Sequence, residues 1–186
     1  LHIGNTNFQY DDPNSKPAPG IDYAHLHLTS LHTEASAIHY SAKKTSALIS
    51  QLTFSDKSGF RIDTTHAQLI YADTLLSASE LYVKTNGSLI QQSFKLRYDS
   101  IAGITKNPAR SFLDASFSNA VLSFDDLYLL VPAMETSLPK KSFACQFLKI
   151  NTELHGNLER LNLPYFSLSG LSGSSIRARG ILYDLY

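Results

Sequence analysis

The sequence predicts an all-β protein: a curved antiparallel sheet, taco- or gutter-like, with at most one short helical turn near residues 125–131. Three observations carry that expectation. Apolar and polar residues alternate in segment after segment, the period of strands with one buried face, whereas the 3.6-residue spacing of amphipathic helices is almost absent. Turn signals, above all Lys57-Ser58-Gly59 and Asn86-Gly87, separate the segments. Short turn-joined strands favour a meander over parallel strands with crossover helices. The 186 residues, 43% hydrophobic and 17% charged, suffice for a packed core in one unit spanning residues 1–186.

Taken in chain order, residues 1–10 read as a strand. Residues 11–20 carry Pro13, Pro17 and Pro19 and form a loop, because proline donates no ladder hydrogen bond. In residues 23–31, Leu26 and Leu28 share one face, with His25, His27 and Thr29 on the other. In residues 48–54 the set Leu48, Leu52 and Phe54 is assigned to one face. Phe60 and Ile62 continue the alternation after the glycine turn, which makes a hairpin. Further strands are expected at residues 68–72, 79–84, 88–98, 111–117, 143–154, 157–163, 165–169 and 174–182. The clearest is 92–98, where Phe94, Leu96 and Tyr98 alternate with Ser93, Lys95 and Arg97. Residues 103–110, with Pro108, read as a second loop, and neither loop marks a domain boundary. In residues 124–131, Asp125 or Asp126 is placed to cap a helical turn carrying Leu127, Leu130 and Val131 before Pro132 ends it.

Glycines punctuate the last third at short intervals, a spacing suited to a growing sheet. Residues 1–10 and 181–186 both read as strand at the limits of the chain. The expectation is a fragment whose edges are met by adjoining repeats of a longer chain. Sixteen basic against sixteen acidic residues give a formal net charge of zero, and the charges are scattered, which argues against nucleic acid as a partner. The single cysteine, Cys145, excludes an internal disulfide framework. No stretch approaches the roughly 20 apolar residues of a membrane-spanning helix, and the start carries no signal-peptide pattern.

The run FSDKSGFRIDTTHAQLIYADTLLSASELYVKTNGSLI, residues 54–90, resembles the AsmA-like and TamB-like cell-envelope proteins of Gram-negative bacteria, particularly those of Bacteroidetes. The matching features are the Lys57-Ser58-Gly59-Phe60 turn and the later strand with Leu81, Val83, Thr85, then Ser88 and Ile90. The stretch from Phe124-Asp125-Asp126-Leu127 to Val131-Pro132 is similar to the family's short D-L-x-x-x-x-P segment. The final GNLERLNLPYFSLSGLSGSSIRARGIL resembles its glycine-punctuated strands. The resemblance spans most of residues 54–182 and rests on the order of these elements. It implies a long, curled sheet with an apolar concave face in the periplasm, continuing from an inner-membrane anchor outside this fragment. It also implies a role in moving phospholipid between the inner and outer membranes, in outer-membrane protein assembly with a barrel partner, or in both.

The candidates for an apolar, lipid-sheltering face are Leu26, Leu28, Leu48, Leu52, Phe54, Ile62, Leu81, Val83, Phe94, Leu96 and Tyr98. Each acyl methylene buried there contributes on the order of 0.8 kcal/mol, so transfer needs no chemical step. Neither catalytic residues nor a cofactor is expected. His25 and His27 form an H-x-H pair, which can begin a metal site. Glu34 and Asp22 stand nearby without recognisable ligand spacing, so exposed strand residues are the preferred reading. The nearest approach to a nucleophile elbow, Gly170-Leu171-Ser172-Gly173, lacks the required spacing and a following helix. Asp11-Asp12 and Asp125-Asp126 read as a loop and a cap, because adjacent strand residues point to opposite faces. The alternative from another class is a carbohydrate-binding β-sandwich module of an envelope or secreted protein. Its support is 10 Tyr and 10 Phe, but there is no Trp, and strand aromatics mostly fill cores. A scaffold that pairs its edge strands with unfolded barrel strands is also compatible with the pattern.

Overall fold

The computed structural model describes residues 1–171 and 173–185. Ten antiparallel strands form one open sheet in strict sequence order. They are β1 (His2–Asp11), β2 (His25–Tyr40), β3 (Lys44–Asp56), β4 (Arg61–Ala72), β5 (Leu75–Thr85), β6 (Leu89–Arg97), β7 (Phe112–Ser123), β8 (Phe147–Gly156), β9 (Arg160–Gly170) and β10 (Ser174–Tyr183). Short helices α1 (Ile101–Lys106), α2 (Phe124–Leu130) and α3 (Lys140–Phe143) occupy the β6–β7 and β7–β8 connections. Every strand therefore pairs with its chain neighbour, as local hairpin chemistry favours. The substantial packing between elements is that of neighbouring strands, with the helical segments packing on one another and α2 on β7. Among the described residues no second sheet lies over the first, so the fold is a single open sheet and not the β-sandwich of the alternative.

Several local features differ from the sequence reading. Residues 101–106 are helical, capped by the Ser100 side chain, which accepts from the Gly103 amide at 3.1 Å, and Pro108–Arg110 is a 3-10 turn. The loop expected at 103–110 is thus a compact helical connection. Residues 157–163 and 165–169 belong to a single strand, β9. Pro164, which cannot donate to a ladder, falls where the pairing with β8 shifts register between Glu153 and His155, the position a sheet allows it. β8 begins at Phe147, because α3 takes up the residues before it.

Eight of the nine strand pairings contain a register shift. Asn5, Ser30, Ala37, Glu80 and Asn119 lie within such shifts and have φ between 42° and 53°. Each extra residue bends its strand and increases the local twist, so the bulges curl the sheet. A single hydrogen bond reports how far. The Ile21 amide, in the β1–β2 connection, donates to the Leu129 carbonyl of α2 at 2.7 Å. In a flat sheet β2 and β7 would stand about 24 Å apart, at about 4.8 Å per strand. Ile21 is held close to the start of β2 by a tight turn in which the His25 amide donates to Asp22 O at 3.0 Å, and α2 reaches only about 10 Å. The contact closes because the sheet bends and brings its strand ends together.

This end of the sheet buries Ile21, Phe60, Phe124, Tyr128 and Asp126. Ser123, rather than either aspartate, caps α2, accepting from the Asp125 amide at 3.2 Å. The helix buries Phe124 and Tyr128, four apart on one side, while Val131 is exposed. The Phe124 ring stacks on Phe143 at 5.1 Å, and the Tyr128 hydroxyl donates to Leu138 O at 2.8 Å. Asp126 anchors the helix to the β5–β6 turn. Its Oδ2 accepts from Thr85 Oγ1 at 2.5 Å, Ser88 Oγ at 2.6 Å and the Gly87 amide at 3.2 Å.

Gly20 makes the loop's approach to α2 possible. Its φ is +71°, and a Cβ there would sit 2.3 Å from Leu129 O. Gly20→Ala is expected to lower the unfolding free energy by about 2–4 kcal/mol through backbone strain and loss of this docking. Urea unfolding measures the loss, and faster hydrogen exchange at the Ile21 amide would place it. Asp22, buried in the same loop, accepts from the Ala18 amide at 2.9 Å, from His25 Nδ1 at 2.9 Å and from the Ala24 amide at 3.1 Å. The Ala18 amide foremost, then His25 and Ala24, hold its carboxyl below the ordinary carboxylate range against the opposing effect of burial. Its contribution is therefore complete above the unfolded carboxylate pKa of about 3.9 and is lost as pH falls through the lowered folded value. Acid titration of Asp22→Asn should show a shallower stability loss below about pH 4 than the parent, measured by thermal unfolding.

Candidate functional site

Strand pairing sorts the side chains into two faces, because directly opposed residues project to the same side. One row runs Ala47, Leu69, Ala78, Phe94, Ala115 and Leu154 across β3 to β8. A second runs Thr45, Tyr71, Leu76, Leu96, Leu113, Gly156, Leu161 and Leu182 across β3 to β10. A third joins Ala120, Ile150, Leu168 and Ile176. On the first strands Phe8 stands opposite Leu28, and Tyr10 opposite Leu26. The result is one apolar face extending over all ten strands. The opposite face carries rows such as Ser77, Lys95, Asp114 and His155, with Arg97 Nη2 donating to Asp114 at 2.8 Å.

Curvature is toward the apolar face. Ala67, Ala78, Ala115 and Ala120 are buried although no second sheet among the described residues covers them, because larger neighbours on the bent surface close around them. The same face opens to solvent at Phe8, Tyr10 and Ile38 on the first two strands, at Leu69 and Tyr71 on β4, and at Ile176 on β10. Ile90, Phe117, Ala120, Leu122 and Ile150 line a hollow of about 140 Å³ with apolar side chains alone. Two polar atoms on this face, Asp56 Oδ2 and Thr65 Oγ1, are buried without a protein partner. Asp56 Oδ1 accepts from the Ser58 amide at 2.9 Å, so half of that carboxylate serves the β3–β4 turn.

Of the sequence-derived candidates, Leu26, Leu28, Leu52, Phe54, Ile62, Leu81, Val83, Phe94 and Leu96 lie on the apolar face. Leu48 does not. The register of β2 and β3 shifts between Glu34 and Ala35, so Leu48 turns to the polar face opposite Ser36 and Gln68, and Ile49 takes the inner position. Tyr98 lies just beyond β6, buried, with its hydroxyl donating to Ala72 O at 2.8 Å. That burial raises the Tyr98 phenol above its ordinary pKa; the residue closes the turn between β4 and β5. The sequence reading missed the second half of the face, Leu113, Phe117, Leu122, Ile150, Phe166 and Leu168. Their alternation was visible, but Asn119 and Pro164 interrupt its phase.

The polar face separates the histidine pair singled out in the sequence. His25 Nδ1 lies 2.9 Å from Asp22 and His27 Nε2 lies 3.5 Å from Asp11, so each imidazole has its own carboxylate. Ser116 Oγ donates to Gln92 Oε1, away from the neighbouring His155–Asp114 pair at 3.2 Å. Ser172, the serine of the elbow-like tetrapeptide, lies outside the described residues. Among the described residues no helix is long and apolar enough to cross a membrane.

Fold and site together define a class: a single-layer, open antiparallel β protein that presents one continuous apolar face and one polar face. No protein-family model, curated protein or solved structure matches the chain.

Proposed function

We propose that the chain is a non-enzymatic, AsmA/TamB-like module of the Gram-negative cell envelope that shelters phospholipid acyl chains on its apolar face between the inner and outer membranes. The observation that carries this reading is the continuity of that face across β1–β10 without a covering layer. A soluble protein keeps so large an apolar surface uncovered only where an apolar partner uses it. Extended acyl chains suit it in two ways: they need contact along a path rather than a closed pocket, and they need no directional polar groups. The periplasm is the compartment in which such a module would work. The cap of α2 and residues 12–24 then makes one end of the trough a stop, leaving the other end and the open side for entry.

A second reading has its own support. β1 and β10 are edge strands, and all ten residues of β10 are exposed. Either edge can take a further strand by β-augmentation, from an adjoining repeat or from an unfolded outer-membrane barrel strand.

The test is native mass spectrometry of the purified protein with solvent extraction and lipid analysis. Co-purifying phospholipid, released on denaturation and exchangeable with added vesicles, is the expected result. A protein free of lipid whose apolar face also fails to bind an environment-sensitive dye would overturn the lipid reading.

A further inference from the structure

We propose that His2, His32 and Glu34 form a zinc-type divalent metal site that clamps edge strand β1 to β2 on the polar face. The sheet register assembles it from residues thirty positions apart. His2 stands directly opposite Glu34 in the β1–β2 ladder, and His32, two residues before Glu34 on the same strand, projects to the same side. One ligand atom from each lies within 4.8 Å of both others. Glu34 Oε1 is 3.3 Å from His2 Nδ1 and 3.8 Å from His32 Nε2, and the two imidazoles meet edge to face at 5.2 Å.

These separations match the chemistry of zinc. Tetrahedral ligands at 2.0–2.1 Å from the metal stand about 3.4 Å from one another, so the carboxylate already has the required spacing. A small rotation of His2, the most exposed of the three, draws in the remaining nitrogen. Two imidazoles with one carboxylate select zinc or a neighbouring transition metal over magnesium or calcium, which prefer all-oxygen sets. Solvent would fill the fourth position.

The location suits a clamp. Among the described residues β1 pairs with β2 alone, and that pairing shifts register at two places between Ile3 and Phe8. A metal bridging His2 to β2 adds a crosslink at the end of the strand where the ladder is interrupted. Binding to the folded state alone raises stability by mass action, and because the imidazoles must be deprotonated, affinity falls in acid.

Isothermal titration with Zn²⁺ alone, in a buffer that does not chelate it, tests the proposal. Wild-type protein should bind one equivalent, with increased hydrogen-exchange protection in β1. His32→Ala and Glu34→Gln should each weaken binding by about tenfold or more, since even outer-shell changes at zinc sites reach that size. His39→Ala, farther along β2, should bind as wild type. Should His32→Ala fail to fold, His2→Ala at the start of β1 provides the same comparison. No saturable binding, or binding unchanged in these ligand variants, would overturn the proposal.

Discussion

Asp126→Ala should lower the unfolding free energy by about 3 kcal/mol, because it removes the shared acceptor of a buried polar cluster and leaves the donors in place. The Thr85 and Ser88 hydroxyls and the Gly87 amide converge on one carboxylate oxygen. Thr85 has a secondary acceptor in Ser88 O at 3.3 Å, and the Ser88 hydroxyl also accepts from the Ser123 amide at 2.9 Å, so the cluster is joined to the end of β7. Gly87 packs so closely on Ser123 that an added Cβ would lie 2.7 Å from its Cβ. Asp126→Asn, which keeps an acceptor oxygen but adds two donors facing hydroxyls, should fall between wild type and alanine. Urea unfolding gives the magnitude, and hydrogen exchange should show α2 and the β5–β6 turn opening together. A loss below about 0.5 kcal/mol, the range of ordinary surface substitutions, would mean that Phe124 and Tyr128 hold the cap unaided.

Leu96→Asp should sharply reduce the lipid content of the purified protein, whereas Lys95→Asp, one residue away, should leave it unchanged. Leu96 lies on the apolar face between Leu76 and Leu113, and Lys95 lies on the polar face between Ser77 and Asp114. A carboxylate at 96 keeps its hydration only by excluding hydrocarbon. If it displaces two or three methylenes at about 0.8 kcal/mol each, occupancy falls about tenfold or more. Leu96 is only half-buried, so the charge stays partly solvated and the variant is expected to fold, which circular dichroism would verify. Equal lipid content in the two variants would show that the bound lipid does not use the apolar face.

The fold was readable because strand formation is a local matter. Alternation of period two and glycine turns identify strands wherever the phase holds, and a meander adds only nearest-neighbour pairing. Phe94 and Leu96 could be assigned to their face from residues 92–98 alone. Leu48 could not, because one extra residue in β3 near Ser50 reverses every side chain beyond it, and nothing in Ser50-Gln51 announces a bulge. Glu80 and Ala37 hide further bulges, since neither residue favours positive φ. Helix α2 was foreseen from Asp125, Asp126 and Pro132, but its anchoring aspartate was not, because Thr85 and Ser88 are about forty positions distant.

The sequence by itself determined the period, the order of strands and the apolar character of one face, all of which depend on neighbours along the chain. Only the tertiary structure decided where that face bends, which leucine leaves it, how residues 12–24 meet α2, and that His2, His32 and Glu34 converge. Those outcomes depend on register and curvature, which accumulate over many strands through bulges that leave almost no mark in the local sequence.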